Sequence, residues 1–252
     1  MSIGVQQKRS SRFLRLISFL PYIRYAILLI MGVKRMDKNQ QGIQYMQEGK
    51  WEEAAKIFME AIEENPKDAV SYINFGNVLA AVGENDKALS FFEKAIELDD
   101  RAAAAYYSAG NLYFENDNLD AAKKMFEKAM QQGLESSDNY FMLGLTLAQL
   151  EQPRLALPYL QRAVELNGDD AEARFQYGLC LAGLELIDEA IAQFTSCVQL
   201  DQEHADAYYN LGVAYGYKEN GVKAMEMFEK ALDIQPDHML AGYGKKLLEK
   251  EQ

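Results

Sequence analysis

AAAYYSAGNLYFENDNLDAAKKMFEKAMQQGLES, residues 103–136, is one unit of a pattern that recurs along the chain. Tyr106, Ala109, Gly110 and Tyr113 fall at i, i+3, i+4 and i+7, the spacing of one helix face. Outward from this unit the same residue types return every 34 positions. Gly42, Gly76, Gly110, Gly144, Gly178 and Gly212 are one column. Ala54, Ala88, Ala122, Ala156, Ala190 and Ala224 follow the glycines by twelve. Phe58, Phe92, Phe126, Leu160, Phe194 and Phe228 come four later, and Ala61, Ala95, Ala129, Ala163, Cys197 and Ala231 three after those. Six gapless copies define an array over residues 35–238, divided as 35–68, 69–102, 103–136, 137–170, 171–204 and 205–238.

This period and spacing resemble the tetratricopeptide repeat (TPR) family, whose unit is a helix–turn–helix. With Gly42 as position 8, the family's aromatic at position 4 is matched by Tyr72, Tyr106, Tyr140 and Tyr208. Its closing proline at position 32 is matched by Pro66 and Pro236 and replaced by Asp100, Leu134, Gly168 and Gln202. EENPKD (63–68), YINFGN (72–77), LEQPRLALPYLQRAVELN (150–167) and IQPDHML (234–240) look like a small bacterial member that is a nearly bare array. The resemblance implies an all-α fold, an α-solenoid of six tandem repeats, and an interaction module without catalytic residues.

Packing physics agrees. Small residues at positions 8 and 20 allow two helices to approach closely, and aromatics at 4, 11 and 24 fill the remaining space. One helix pair cannot bury that surface, but stacked neighbours can. Lys38 and Gln41 make the first repeat's outer face polar, as the end of an array requires. Residues 239–252 place Leu240, Tyr243 and Leu247 on one face and read as a solvating C-terminal cap helix. Pro153 and Pro158 predict a bent or 3₁₀ opening to the second helix of repeat four.

The net charge of −12 is unevenly distributed. Seven of the 26 basic side chains and none of the 38 acidic ones precede residue 36, leaving 19 basic against 38 acidic in the array and cap. A surface that acidic repels phosphates, which argues against nucleic acid as partner. Cys180 and Cys197 read as core thiols, and His204 and His238 as surface imidazoles, so no metal or cofactor is expected. No phosphate loop, nucleophile elbow or Cys–His arrangement is present, and the repeats leave no room for a catalytic domain, so the chain reads as no enzyme.

TPR arrays use a concave surface lined by first helices. Positions 2, 5, 9 and 12 form a face offset from the core face, so they are expected to line it. Position 5 supplies Ile73, Tyr107, Phe141, Phe175 and Tyr209; position 9 supplies Asn77, Asn111, Leu145, Leu179 and Val213. Position 12 adds Ala80, Phe114, Ala148, Ala182 and Gly216, and position 2 adds Asp138, Glu172 and Asp206 along one edge. Leu145, Leu179 and Val213 with the small residues at 12 predict an apolar trough in repeats four to six. The family's carboxylate clamp needs basic groove residues, and these columns hold none. The expected partner is therefore a protein or peptide, apolar or amphipathic, and basic at the end that meets the carboxylates.

Residues 1–35 are a basic, apolar leader. FLRLISFLPYIRYAILLIMGV (13–33) is long enough to span a bilayer, but Arg24 near its centre and Pro21 make insertion only marginally favourable. A helix lying in the interface is equally compatible. Charge sign, composition and repeat register all change at Met36, and Gly32–Arg35 can be encoded with a ribosome-binding sequence, so Met36 is the start we expect. The expected location is cytoplasmic; a real 13–33 segment would place the array at the cytoplasmic face of a membrane as a tethered scaffold. A self-assembling structural solenoid is the other alternative.

Overall fold

The computed structural model describes residues 37–251, and every regular element among them is a helix. The leader, with its 13–33 stretch and the Met36 boundary, lies outside the described residues. The helices pair along the chain: α1 (Lys38–Gln47) with α2 (Trp51–Glu64), α3 (Ala69–Ala81) with α4 (Asn85–Leu98), and α5 (Ala103–Glu115) with α6 (Leu119–Gln131). They continue as α7 (Ser137–Gln149) with α8 (Pro153–Leu166), α9 (Ala171–Gly183) with α10 (Ile187–Leu200), and α11 (Ala205–Tyr217) with α12 (Gly221–Ile234). α13 (Met239–Glu251) follows alone. The fold is an all-α TPR solenoid.

Inside each pair the turn is set by one left-handed residue. Gly49 (φ 71°) and Gly83 (φ 81°) occupy it in the first two repeats, then Asp117 (57°), Glu151 (60°), Glu185 (61°) and Glu219 (57°). The following amide bonds back across the turn each time, as Lys50 to the Tyr45 carbonyl (2.8 Å) and Gln152 to that of Leu147 (2.9 Å). A left-handed non-glycine residue costs about 1–2 kcal/mol, partly offset in glycine by about 0.5–1 kcal/mol of chain entropy. Changing Glu151, Glu185 and Glu219 to glycine together should therefore stabilise the array by about 2 kcal/mol. A rise in the urea midpoint checks this.

The glycine column exists because of the aromatic column. A Cβ on Gly110 would lie 2.7 Å from the Phe126 ring, and one on Gly42 2.4 Å from Phe58. Phe58, Phe92, Phe126, Leu160 and Phe194 are at most 1% exposed, as are the alanines at position 20. In repeat four a Gly144 Cβ would meet Leu160 Cγ at 2.7 Å and its backbone nitrogen at 3.1 Å. Gly144→Val should overpack this contact and cost about 1–3 kcal/mol in denaturant titration.

A further column joins one repeat to the next. Ser71, Ala105, Asn139, Ala173, Ala207 and Ala241, all at position 3, are at most 1% exposed. Where the residue is polar its hydrogen bonds are internal. Ser71 Oγ donates to Asp68 (2.6 Å), and Asn139 Nδ2 to the Phe126 and Leu134 carbonyls (3.3 and 3.1 Å). First helices of successive repeats touch along the whole array, α1 to α3 through α11 to α13, whereas second helices do not touch one another. The odd-numbered helices therefore line the inner, concave side.

Three expectations are corrected. The cap helix does not pack through Leu240, Tyr243 and Leu247, which are 58%, 63% and 44% exposed. It seats Ala241, Gly244 and Leu248 on α12, with glycine where the approach to Phe228 is closest: a Gly244 Cβ would lie 2.6 Å from that ring. The histidines are not surface imidazoles: His238 is 7% exposed, and both accept a backbone N–H at a helix start. Pro158 lies within a continuous helix α8 rather than in a 3₁₀ opening. What remains of that expectation is one i→i−3 bond, Leu155 N–H to the Gln152 carbonyl (3.0 Å), beside the regular Ala156 bond to the same oxygen. Pro153, at the first helical position, needs no donor there.

Candidate functional site

The concave face starts from the helix N-termini. Position 34 of each repeat precedes the next first helix and caps it where a side-chain acceptor is available. Asp68 accepts from Val70, Ser136 from Asn139, Asp170 from Ala173, His204 from Ala207 and His238 from Ala241. In the two histidines the Nδ1 lone pair is used by the backbone N–H, which assigns the ring proton to Nε2. His238 Nε2 then donates to Asp206 Oδ1 at 3.0 Å, and His204 Nε2 lies 3.8 Å from Glu172. Two of the three edge carboxylates, Glu172 and Asp206, thus face an imidazole. The signal lay in the register: a residue type that shares a column with Asp68, Ser136 and Asp170 is a cap.

These rings also cover the aromatics at position 5. The His204 ring centre is 4.4 Å from that of Phe175, and the His238 ring centre 5.2 Å from that of Tyr209. Phe175, sandwiched between His204 and Phe194, is buried at 8% exposure and is part of the floor rather than an open lining residue. Ile73 is likewise buried. Tyr107, Phe141 and Tyr209 remain half-buried, and Tyr107, Phe114 and Phe141 pack together over the core of repeats three and four. Burial raises the Tyr107 hydroxyl above the ordinary phenol range; the neighbouring Asn111 amide opposes this and the Asp138 charge adds to it. Tyr107, Asn111 and Asp138 therefore form one neighbourhood spanning two repeats.

Position 9 divides into two regions. Asn77 and Asn111 line a cleft of about 220 Å³ between α3 and α5, with Ala80, Ser108 and Glu115 among its walls and Phe92 and Leu112 beneath. Asn111 Oδ1 is buried there and accepts no hydrogen bond from the protein. Along repeats four to six, Leu145 and Leu179 are half-buried, and Val213 is 45% exposed. Leu179 and Ala182 pack onto the core cluster around Phe175 and Leu181. The apolar strip is thus shallow where it was expected to be a trough, because Phe175 and its neighbours fill the space beneath it.

Arg174 stays outside the groove. Its Nε donates to the Gly168 carbonyl (2.8 Å), the role played by the position-4 hydroxyls of Tyr72 and Tyr106, and its guanidinium meets Gln193 (3.1 Å). Cys180 donates to the Pro153 carbonyl (3.1 Å) and Cys197 is fully buried. Burial pushes both thiols up, Cys197 to about 12. Among the described residues no three His, Cys, Asp or Glu side chains are grouped to hold a metal ion, and no helix is long and apolar enough to cross a membrane.

Sequence models described as "Tetratricopeptide repeat" match residues 40–68, 57–90, 79–143 and 205–238. One described as "Anaphase-promoting complex, cyclosome, subunit 3" matches residues 115–197. The "TPR repeat-containing protein YrrB" of Bacillus subtilis (strain 168) is 59% identical over 39 residues, 16% of this chain, a match that spans 19% of that protein's length. A solved structure, "YrrB: a TPR protein with an unusual peptide-binding site", is 58% identical, with a TM-score of 0.73 over 76% of this chain and 99% of that one. The pilF structure from Pseudomonas aeruginosa is 20% identical, with a TM-score of 0.72 over 85% of this chain and 96% of its own. A MamA structure is 23% identical, with a TM-score of 0.63 over 68% and 93%. The last two share the fold alone.

Proposed function

The chain belongs to the tetratricopeptide repeat family, and from that premise we propose that it is a non-catalytic adaptor whose concave face binds an apolar or amphipathic peptide segment. The observation that carries this reading is the chemistry of the inner columns. From α3 to α11, positions 2, 5, 9 and 12 hold aromatic, aliphatic, amide and carboxylate side chains and no basic one. Such a surface is complementary to an apolar segment with a basic residue toward Asp138, Glu172 and Asp206, and unsuited to a free carboxylate terminus. Asn77 and Asn111, on the walls of the cleft between α3 and α5, supply hydrogen-bonding capacity for a peptide backbone. The peptide-binding site described for the YrrB structure supports the same class of partner.

We take the adaptor to be cytoplasmic. End-to-end assembly of arrays is disfavoured by the first repeat: Asp37, Gln41 and Gln44 stand in columns that hold Ser71, Phe75 and Val78, all buried, in the second. Polar residues there leave that end to water.

The test is Leu145→Asp combined with Leu179→Asp. Partner recovery from a native lysate should be lost while the helical circular dichroism spectrum is unchanged. Recovery of the same partner at the wild-type level would remove the groove assignment.

A further inference from the structure

We propose that the shallow valley between α11 and α13, at the C-terminal end of the concave face, docks an apolar peptide segment that carries a lysine or arginine at one end. In this reading α13 is a seventh groove helix as well as a cap. The inference rests on the peptide-binding reading above and assigns it a place.

The register comes first. Counting on from 205–238, residue 239 is position 1 of a seventh unit, so Leu240, Tyr243 and Leu247 occupy positions 2, 5 and 9, the groove columns. They are exposed because the helix is held from its other side. Ala241 is fully buried and Leu248 packs with Phe228 and Ala224, while the Ala241 amide donates to His238 Nδ1. On α11, which touches α13, Val213 and Tyr217 lie four residues apart, 45% and 65% exposed. Five large apolar side chains thus face water on two adjoining helices.

Composition separates this face from a merely solvated one. Away from the groove columns α13 carries exposed, charged Lys246 and Glu249 at positions 8 and 11, and Lys245 at position 7 reaches back to Glu229 of α12 (2.8 Å). Charge is thus placed away from the groove columns, while the groove-side face is apolar. Exposed apolar side chains gathered on adjoining helices in this way mark a binding surface.

Charge complementarity selects the occupant. Asp206 lies where α11 begins; its Oδ1 accepts a hydrogen bond from His238 Nε2–H, and the side chain stays 65% exposed beside the half-buried Tyr209. No groove column of α11 is basic, and the first basic side chain on those of α13, Lys250, comes at its opposite end. A segment lying along the valley therefore meets a carboxylate at the Asp206 end, which selects a cationic residue there and apolar residues over Tyr243 and Leu247.

Fluorescence anisotropy of the full chain with a fluorescein-labelled 16-residue peptide of leucine and lysine tests this. Leu240→Glu with Tyr243→Glu and Leu247→Glu should weaken binding by about tenfold or more, with thermal midpoint and helical spectrum unchanged because the three side chains are exposed. Asp206→Asn keeps an acceptor for His238 and should also weaken binding, with a shallower salt dependence. If the triple variant binds as tightly as wild type while Leu145→Asp with Leu179→Asp does not, the groove reading stands and this inference fails. If neither variant loses affinity, both fail. If the triple variant instead converts a dimer to a monomer in sedimentation and peptide affinity is unaltered, the occupant is a second copy and the proposal is overturned.

Discussion

Phe126→Ala is expected to cost about 3–5 kcal/mol and to split the unfolding of the array into two transitions. Phe126 is fully buried in the third of six repeats, against the bare backbone of Gly110, and its ring centre is 5.8 Å from that of Tyr107. No neighbour can collapse into the space it leaves. Gly110 has no side chain, and the alanines at positions 20 and 27 are already fully buried. In a linear array each repeat is stabilised by its own packing and by contact with its neighbours only. A defect in repeat three therefore uncouples repeats one and two from repeats four to six. Chemical denaturation followed by circular dichroism should show two steps where the unmodified chain shows one. Lys124→Ala, an exposed change on the same helix, should move stability by no more than about 0.5 kcal/mol. A single undivided transition for Phe126→Ala would mean that the array unfolds as one body and that nearest-neighbour coupling is stronger than assumed.

The fold was legible because its physical requirement is periodic. A glycine every 34 residues opposite a large apolar side chain sixteen later, phenylalanine in five repeats and Leu160 in the fourth, is a close approach of two helices, and the structure places those residues in contact. The site was legible only in part, for two reasons. First, the groove columns were read one helix at a time, whereas exposure depends on the adjoining repeat. Phe175 has the same position as Tyr209 and Phe141, yet of the three only Phe175 is buried, packed between His204 and Phe194. Second, the apolar residues of a terminal helix need not be its packing face: Leu240, Tyr243 and Leu247 are exposed. In α13 the packing is done by Ala241, Gly244 and Leu248, and alanine and glycine suffice at two of these places because the bulky partner, Phe228, comes from the other helix. The small-residue column at position 3, with Ala105, Ala173, Ala207 and Ala241 at the array's own period, carried that information in the sequence. A large side chain in a helix of such an array is therefore no guide to burial by itself, and its column is.

The alkaline limb of stability supplies the last expectation. Cys197 stands in a column that is alanine in all five other repeats, and it is fully buried. Burial, reinforced by the negative charges of Asp201 and Glu172 and opposed by Arg174, pushes its thiol from 9.0 to about 12. The sign follows directly. Between those values the unfolded chain releases the thiol proton and the folded chain keeps it. Stability is then fully present below about pH 9 and falls as pH rises, by about 1.4 kcal/mol per unit and up to about 4 kcal/mol near pH 12. Cys197→Ala removes this one titration and fits the column, leaving at most a small cavity. The variant should match the wild type or lie slightly below it at pH 7, and overtake it between pH 9 and 11 in thermal melts. The same burial means that a thiol reagent at pH 8 should label Cys197 far more slowly than a free cysteine, at a rate set by opening of the fifth repeat. Parallel pH profiles for the two proteins, or rapid labelling of the folded chain, would show that the thiol is not held in the core. Slow labelling and crossing profiles would make Cys197 a stability probe for the repeat that carries Glu172 and His204.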